Sequence, residues 1–191
     1  MAGFSAALAK TLSWEGGYTS DDSGGETNFG ISKNSYPNTD IKNLTKDQAA
    51  NIYRRDFWNP LLLDGVKSQA VANMLFDFAV NAGKSQALKT LRKVLGVPSR
   101  TGPMSAADIS EINHLDQDKF LWAYGSARLG FYQALAATKP NLAKYLNGWV
   151  NRAQSFFLEL LQRRALLIGG PLLIAYFLFL KYKSNQNKAT Q

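Results

Sequence analysis

The chain has 191 residues, 46% of them apolar, with 22 Lys plus Arg against 14 Asp plus Glu, the proportions of an ordinary globular protein rather than a disordered one. The absence of cysteine excludes a disulfide scaffold, Cys-ligated zinc, iron–sulfur clusters and thiol nucleophiles, and a single histidine, His114, excludes metal sites built on several histidines. A formal charge of +8 is compatible with nucleic acid, an anionic membrane or an anionic wall polymer and does not choose among them.

Phe4, Ala7, Leu8 and Leu12 form one apolar stripe, so residues 3 to 15 are expected to be an amphipathic helix stopped by Gly16 and Gly17. The stretch MAGFSAALAK lacks a basic start followed by a long apolar run, so it is not read as a signal peptide. From Tyr18 to Ser35 the sequence turns polar and glycine-rich, which fits a turn-rich segment or short hairpin and is where chemistry is expected. Thr45-Lys46-Asp47-Gln48 reads as a capping box opening a helix to about Phe57, and Ser105-Ala106-Ala107-Asp108 as another. Helices are also expected at residues 66 to 82, 85 to 95 and 120 to 137, with a last one starting at Pro140 and running past Trp149 toward Phe156 and Phe157. The fold class is mainly α (α+β) with one small β element, and loops of four to ten residues point to a single compact domain over residues 1 to 155.

Residues 156 to 191 differ in kind. They carry five basic and one acidic side chain, and Ala165 to Leu180 has no charge at all between Arg163 and Arg164 on one side and Lys181 and Lys183 on the other. Sixteen helical residues rise about 24 Å against a hydrocarbon core of roughly 30 Å, so a span over residues 163 to 183 is completed by snorkelling Arg and Lys stems. A single-pass C-terminal membrane anchor is therefore expected, although basic residues on both flanks leave its orientation open.

Glu15 is the first candidate for chemistry. At the carboxyl end of a helix, after Trp14 and before two glycines, the helix dipole and an apolar neighbour both favour a protonated acid, the form a glycosidase needs to protonate its leaving oxygen. Asp22, with Asp21 beside it, follows in a glycine-rich loop, where an Asx-turn role competes with a catalytic one. Thr27 is a small hydroxyl suited to positioning water or to pairing across a hairpin. Glu26 is expected to point to solvent, and Gly24, Gly25 and Gly30 to supply positive φ or close backbone approach. Asp77 and Asn81 share one face of an apolar helix, where a polar cleft or a buried hydrogen-bonded pair would satisfy them. Tyr18, Asn28 and Trp58 are candidates for sugar contacts, with packing favoured for Trp58, Trp122 and Trp149. His114 reads as a surface residue, and Lys84, Lys89, Arg92 and Lys93 as a solvated basic face. Without a recognition-helix pattern or aromatic-interleaved basic strand, nucleic acid is not an expected partner.

The run Glu15-Gly16-Gly17-Tyr18, followed by Asp22-Ser23-Gly24-Gly25-Glu26-Thr27-Asn28-Phe29-Gly30-Ile31, closely resembles the signature of glycoside hydrolase family 108, lysozyme-like muramidases. Tyr53-Arg54-Arg55-Asp56-Phe57-Trp58 and Phe76-Asp77-Phe78-Ala79-Val80-Asn81-Ala82-Gly83 resemble two further blocks of that family. Residues 85 to 155 resemble its peptidoglycan-associated part, so the likeness covers roughly residues 4 to 154 and leaves out the tail. The resemblance implies a lysozyme-like helical domain with a β-hairpin, Glu15 as catalytic acid, Asp22 and Thr27 as its assistants, and Tyr18, Asn28, Asp77 and Asn81 as substrate-binding residues. It implies peptidoglycan as partner and no metal or organic cofactor.

Three readings stay open on the sequence: a muramidase, a lytic transglycosylase on the same bond, and a non-catalytic wall-binding protein that keeps the fold. A membrane-tethered wall hydrolase suits a phage virion with an internal membrane, where virion proteins would be neighbours, or a host cell envelope. The short chain without export signal or disulfides favours the viral setting.

Overall fold

The computed structural model describes residues 1–20 and 25–168, with side chains described as far as residue 157. The chain forms two compact units, Met1–Arg128 and a second beginning at Leu129. The division falls inside one helix, α6 (Gln117–Thr138).

In the first unit, α1 (Phe4–Leu12) precedes a hairpin of β1 (Thr27–Asn28) and β2 (Ile31–Ser32). The strands pair antiparallel, Thr27 with Ser32 and Asn28 with Ile31, and a further bridge joins Thr19 to Thr27. The two residues between the strands, Phe29 and Gly30, have φ of 50° and 74°, the left-handed pair that a tight type I′ hairpin turn requires.

Next comes α2 (Lys46–Tyr53), opened by the expected capping box: Thr45 Oγ1 accepts from the Gln48 N–H, and Gln48 Oε1 accepts from the Thr45 N–H. It continues into a π-helical turn, Arg54–Trp58, where a plain α-helix was expected. The wider turn shifts the register of the side chains that follow, and Trp58 is fully buried with its indole N–H donating to Asp64 Oδ1 at 2.8 Å. The remaining helices of this unit are α3 (Gln69–Ala82), α4 (Lys84–Val94), α5 (Ala106–His114) and the start of α6.

The core between α1, the π turn and α3 is aromatic. Phe4, Trp58 and Phe76 meet edge to face with centroids 5.5, 5.7 and 5.9 Å apart, and Tyr53 lies 6.2 Å from Phe76. Each such ring contributes its apolar area plus roughly 0.5–1.5 kcal/mol of ring–ring attraction. The cluster locks α1 against α3, and so holds the helix end from which the turns leading to Glu15 start.

Arg92 corrects the expectation of a solvated basic face on α4. It is buried, donates to the carbonyls of Arg100, Gly102 and Pro103, and pairs with the fully buried Asp108 at 3.0 Å. Arg100 bridges Asp108 and Glu111, both at 2.7 Å. Asp108 is also the return arm of the Ser105 capping box, so one carboxylate closes the α4–α5 loop and starts α5.

In the second unit, Pro140–Tyr145 is a 3₁₀ segment rather than the first turn of the last helix, and α7 (Leu146–Ile168) follows. Trp149 stacks on the buried Tyr132 at 5.3 Å and lies 5.9 Å from the exposed Tyr145. Trp122, expected to pack, is instead 41% exposed. Among the described residues no helix is long and apolar enough to cross a membrane. The expected span over residues 163 to 183 lies outside the described residues from Gly169 onward.

Candidate active site

The first helix ends at Leu12, the last residue of its apolar stripe and three residues short of the expected end at Glu15. Ser13 hydroxyl donates to Lys10 O, the Trp14 N–H to Thr11 O and the Glu15 N–H to Leu12 O, a run of tight turns that carries the chain past the helix end. Trp14 is 37% exposed on the surface beside Glu15, which is itself half-buried.

The hairpin is built around this carboxyl. A Cβ placed on Gly30 would lie 2.7 Å from Glu15 Oε2 and 2.7 Å from the Tyr53 hydroxyl oxygen. Both oxygens therefore crowd one point of the turn, over bare backbone. Tyr53 donates to the carbonyl of Phe29 at 2.9 Å, which fixes the turn against α2. Glycine is needed at position 30 twice over: for its positive φ, and for the absent side chain that lets the acid approach.

Thr27 stands on β1. Its hydroxyl donates to Gly25 O at 3.0 Å, so the proton of that group is used and its oxygen lone pairs remain as acceptors. Tyr18 is 46% exposed and donates to Glu26 Oε1 at 2.9 Å; that hydrogen bond, with burial and the Glu26 charge adding to it, pushes the phenol up. Glu26 is half-buried and is the partner of Tyr18 in this exposed hydrogen bond. Asp21, Asp22 and Gly24 lie outside the described residues.

Two residues expected to contact substrate are buried and take partners within the protein. Asn28 is buried, and its amide donates to Ile41 O at 3.1 Å and Leu44 O at 3.5 Å, tying the hairpin to the loop before α2. Asp77 is fully buried and accepts from Arg128 at 2.6 Å, with both side chains 0% exposed. An aspartate on the inner face of α3 faces the core, so its nearest solution is a buried cation rather than a cleft. Asn81, one turn later, is half-buried at the end of the same helix. His114 is exposed at the end of α5, its Nδ1 2.6 Å from Ser110 O.

Sequence reasoning assigned no role to Tyr53, although it opens one of the quoted blocks; only its contact across the chain to Gly30 reveals it. Tyr36 and Asp56 were likewise unassigned. Tyr36 donates to Asp56 Oδ2 at 2.9 Å, and burial together with that bond pushes its phenol up to about 12. Hydrogen bonds from Arg55 hold the Asp56 carboxyl below its usual range. This strut joins the turn after the hairpin to the π turn.

The arrangement presents one carboxyl at the mouth of a hairpin with a hydroxyl-bearing strand beside it, the elements of acid-assisted hydrolysis. Comparison with known proteins agrees with that chemistry. Residues 8–83 match the family model described as Glycosyl hydrolase 108, and residues 87–154 match one described as Predicted Peptidoglycan domain. Among solved structures, the chain is similar to that of Brucella abortus SagA, with 28% identity and a TM-score of 0.62 over 80% of this chain and 94% of that one. No curated protein sequence matches it. Glu15, Thr27 and Tyr53 all lie inside the first matched segment, and the two matches together point to a peptidoglycan-acting, lysozyme-like enzyme.

Proposed function

We propose that the protein is a muramidase that hydrolyses the β-1,4 bond between N-acetylmuramic acid and N-acetylglucosamine in peptidoglycan, with Glu15 as general acid. The observation that carries this reading is the seating of the Glu15 carboxyl against Gly30 and Tyr53 within the segment matching glycosyl hydrolase 108. In the reaction, the Glu15 proton passes to the glycosidic oxygen as the C1–O bond breaks, water adds to C1 and gives its proton to the Asp22 carboxylate, and exchange with solvent moves that proton back to Glu15. Thr27 offers its free lone pairs to that water, and Asp22 is the carboxylate that assists it. Tyr18 and Asn81 contact sugar at the rim. The segment 87–154 holds the wall polymer.

The uncharged run from Ala165 to Leu180, flanked by basic pairs, supports a membrane tether for the catalytic unit. Such a tether suits an enzyme that opens the wall from a membrane, in a phage virion or during lysis.

The test is digestion of purified peptidoglycan by the full chain and by Glu15→Gln, with released fragments identified by mass. Fragments with reducing ends from the parent alone are expected. Anhydro ends would make the enzyme a lytic transglycosylase, and no release would leave a wall-binding protein.

A further inference from the structure

A groove of about 540 Å³ opens on the first unit between the loop before α2 and α2 itself. We infer that it is an accessory binding site for neutral N-acetylhexosamine units of glycan, separate from the Glu15 site. The volume falls within the range of small-ligand sites, roughly 300–1,000 Å³. Its walls carry four carboxamides, Asn38, Asn43, Gln48 and Asn51, and its floor includes the buried Leu44 and Ile52. Carboxamides both donate and accept, as the hydroxyl and acetamido groups of such a sugar require, and the apolar floor suits a ring face or an acetyl methyl.

Charge narrows the ligand. On a protein of net charge +8, no Lys or Arg is among the described residues that line this groove, and the charged residue among them is Asp40. Hydrogen bonds from the side chain and backbone N–H of Asn43 hold the Asp40 carboxyl below its usual range, so it stays anionic. Phosphate, nucleic acid and acidic peptide are disfavoured there; a neutral sugar is not.

The walls are fixed before a ligand arrives. Lys33 Nζ donates to Thr39 O at 2.8 Å, Asn28 holds the carbonyls of Ile41 and Leu44, and Gln48 is pinned by the capping box. The side chains of Asn38 and Asn51 make no hydrogen bond to other described residues, so these two exposed lining amides have no protein partner to give up. Rigid walls lower the ordering cost of binding. Gln48, Asn51 and Ile52 lie at i, i+3 and i+4 on one face of α2, whereas Ala49 and Tyr53 are buried on the adjacent face that meets the hairpin. The groove thus flanks the acid's support and does not contain the acid.

The inference rests on the peptidoglycan reading only for the identity of the polymer, and it is tested without turnover. Chitotetraose is titrated into full-length Glu15→Gln protein, with and without Asn38→Ala plus Asn51→Ala, by calorimetry and by amide chemical-shift mapping. The site predicts shifts at residues 38 to 52 and about a tenfold loss of that binding component in the double variant, which removes two hydrogen-bonding amides. Shifts confined to the hairpin, or an unchanged titration in the double variant, would overturn the proposal. Failure of Glu15→Gln to abolish lysis would instead overturn the muramidase reading and leave this titration untouched.

Discussion

The carboxyl of Glu15 reaches into the space that a side chain at position 30 would fill: a Cβ on Gly30 would stand 2.7 Å from its Oε2 and 3.0 Å from its carboxyl carbon. Helix end and hairpin turn are thus fitted to one another, and the acid's position depends on a residue fifteen places away. Gly30→Ala is expected to lower kcat on peptidoglycan about 100-fold by displacing the acid by an ångström or so. Forcing alanine into a left-handed φ adds roughly 1–2 kcal/mol of destabilisation. Steady-state kinetics beside thermal unfolding checks this; full activity in Gly30→Ala would show that the close approach is not needed.

Tyr53 is expected to act through the hairpin. In Tyr53→Phe the Phe29 carbonyl loses its donor and the turn its tether to α2, at a cost of about 1 kcal/mol. The variant should fold, with kcat reduced more than KM is raised. A change in KM alone would place the hydroxyl on the substrate instead.

Asp77, buried against Arg128, is expected to serve stability rather than sugar binding. Removing its charge in Asp77→Asn leaves the fully buried Arg128 without its partner carboxylate, with an expected loss of about 3–5 kcal/mol. Glycan affinity measured on the folded variant at low temperature should match the parent. A selective loss of affinity at unchanged stability would return Asp77 to the cleft.

Asp108 gives a pH dependence with a definite sign. Burial alone would raise its carboxyl, but hydrogen bonds from Arg92, Arg100 and Ser105 outweigh burial and hold it far below the ordinary carboxylate range. A lowered folded-state value means that the stabilisation is fully present above the unfolded carboxylate value, near pH 4, and is lost as pH falls from there through the folded value. Unfolding free energy should therefore drop steeply below about pH 4 in the parent. In Asp108→Asn it should be lower by about 3–5 kcal/mol at neutral pH and flatter in acid, as urea melts at a series of pH values would show.

How much of this was legible in the sequence depends on the range of the interaction. Local signals were read correctly: both capping boxes occur as their spacing indicated, and the polar stretch after Glu15 contains the hairpin. Those devices need only neighbours three or four residues apart. Long-range pairs were not readable. Asp77 and Asn28 carry polar side chains in the right blocks, yet Arg128 lies 51 residues from Asp77 and the carbonyls taken by Asn28 lie 13 and 16 residues on. The same limit hid the tyrosine at position 53 and turned Arg92 from an exposed cation into a buried hub. Trp122 failed in the opposite direction, because a helix whose apolar residues fall all round its surface gives no face to read.

If Glu15 donates a proton to the departing sugar oxygen, the rate must depend on the leaving group in a way that removing Glu15 exposes. Glu15→Gln is compared with the parent on a natural glycan and on an aryl chitooligosaccharide whose dinitrophenolate departs without protonation. A general acid predicts a loss of about 10²–10⁴-fold on the glycan and a far smaller one on the aryl substrate. Equal losses on both would contradict the account, since a residue that only holds the substrate or the fold cannot distinguish one leaving group from another.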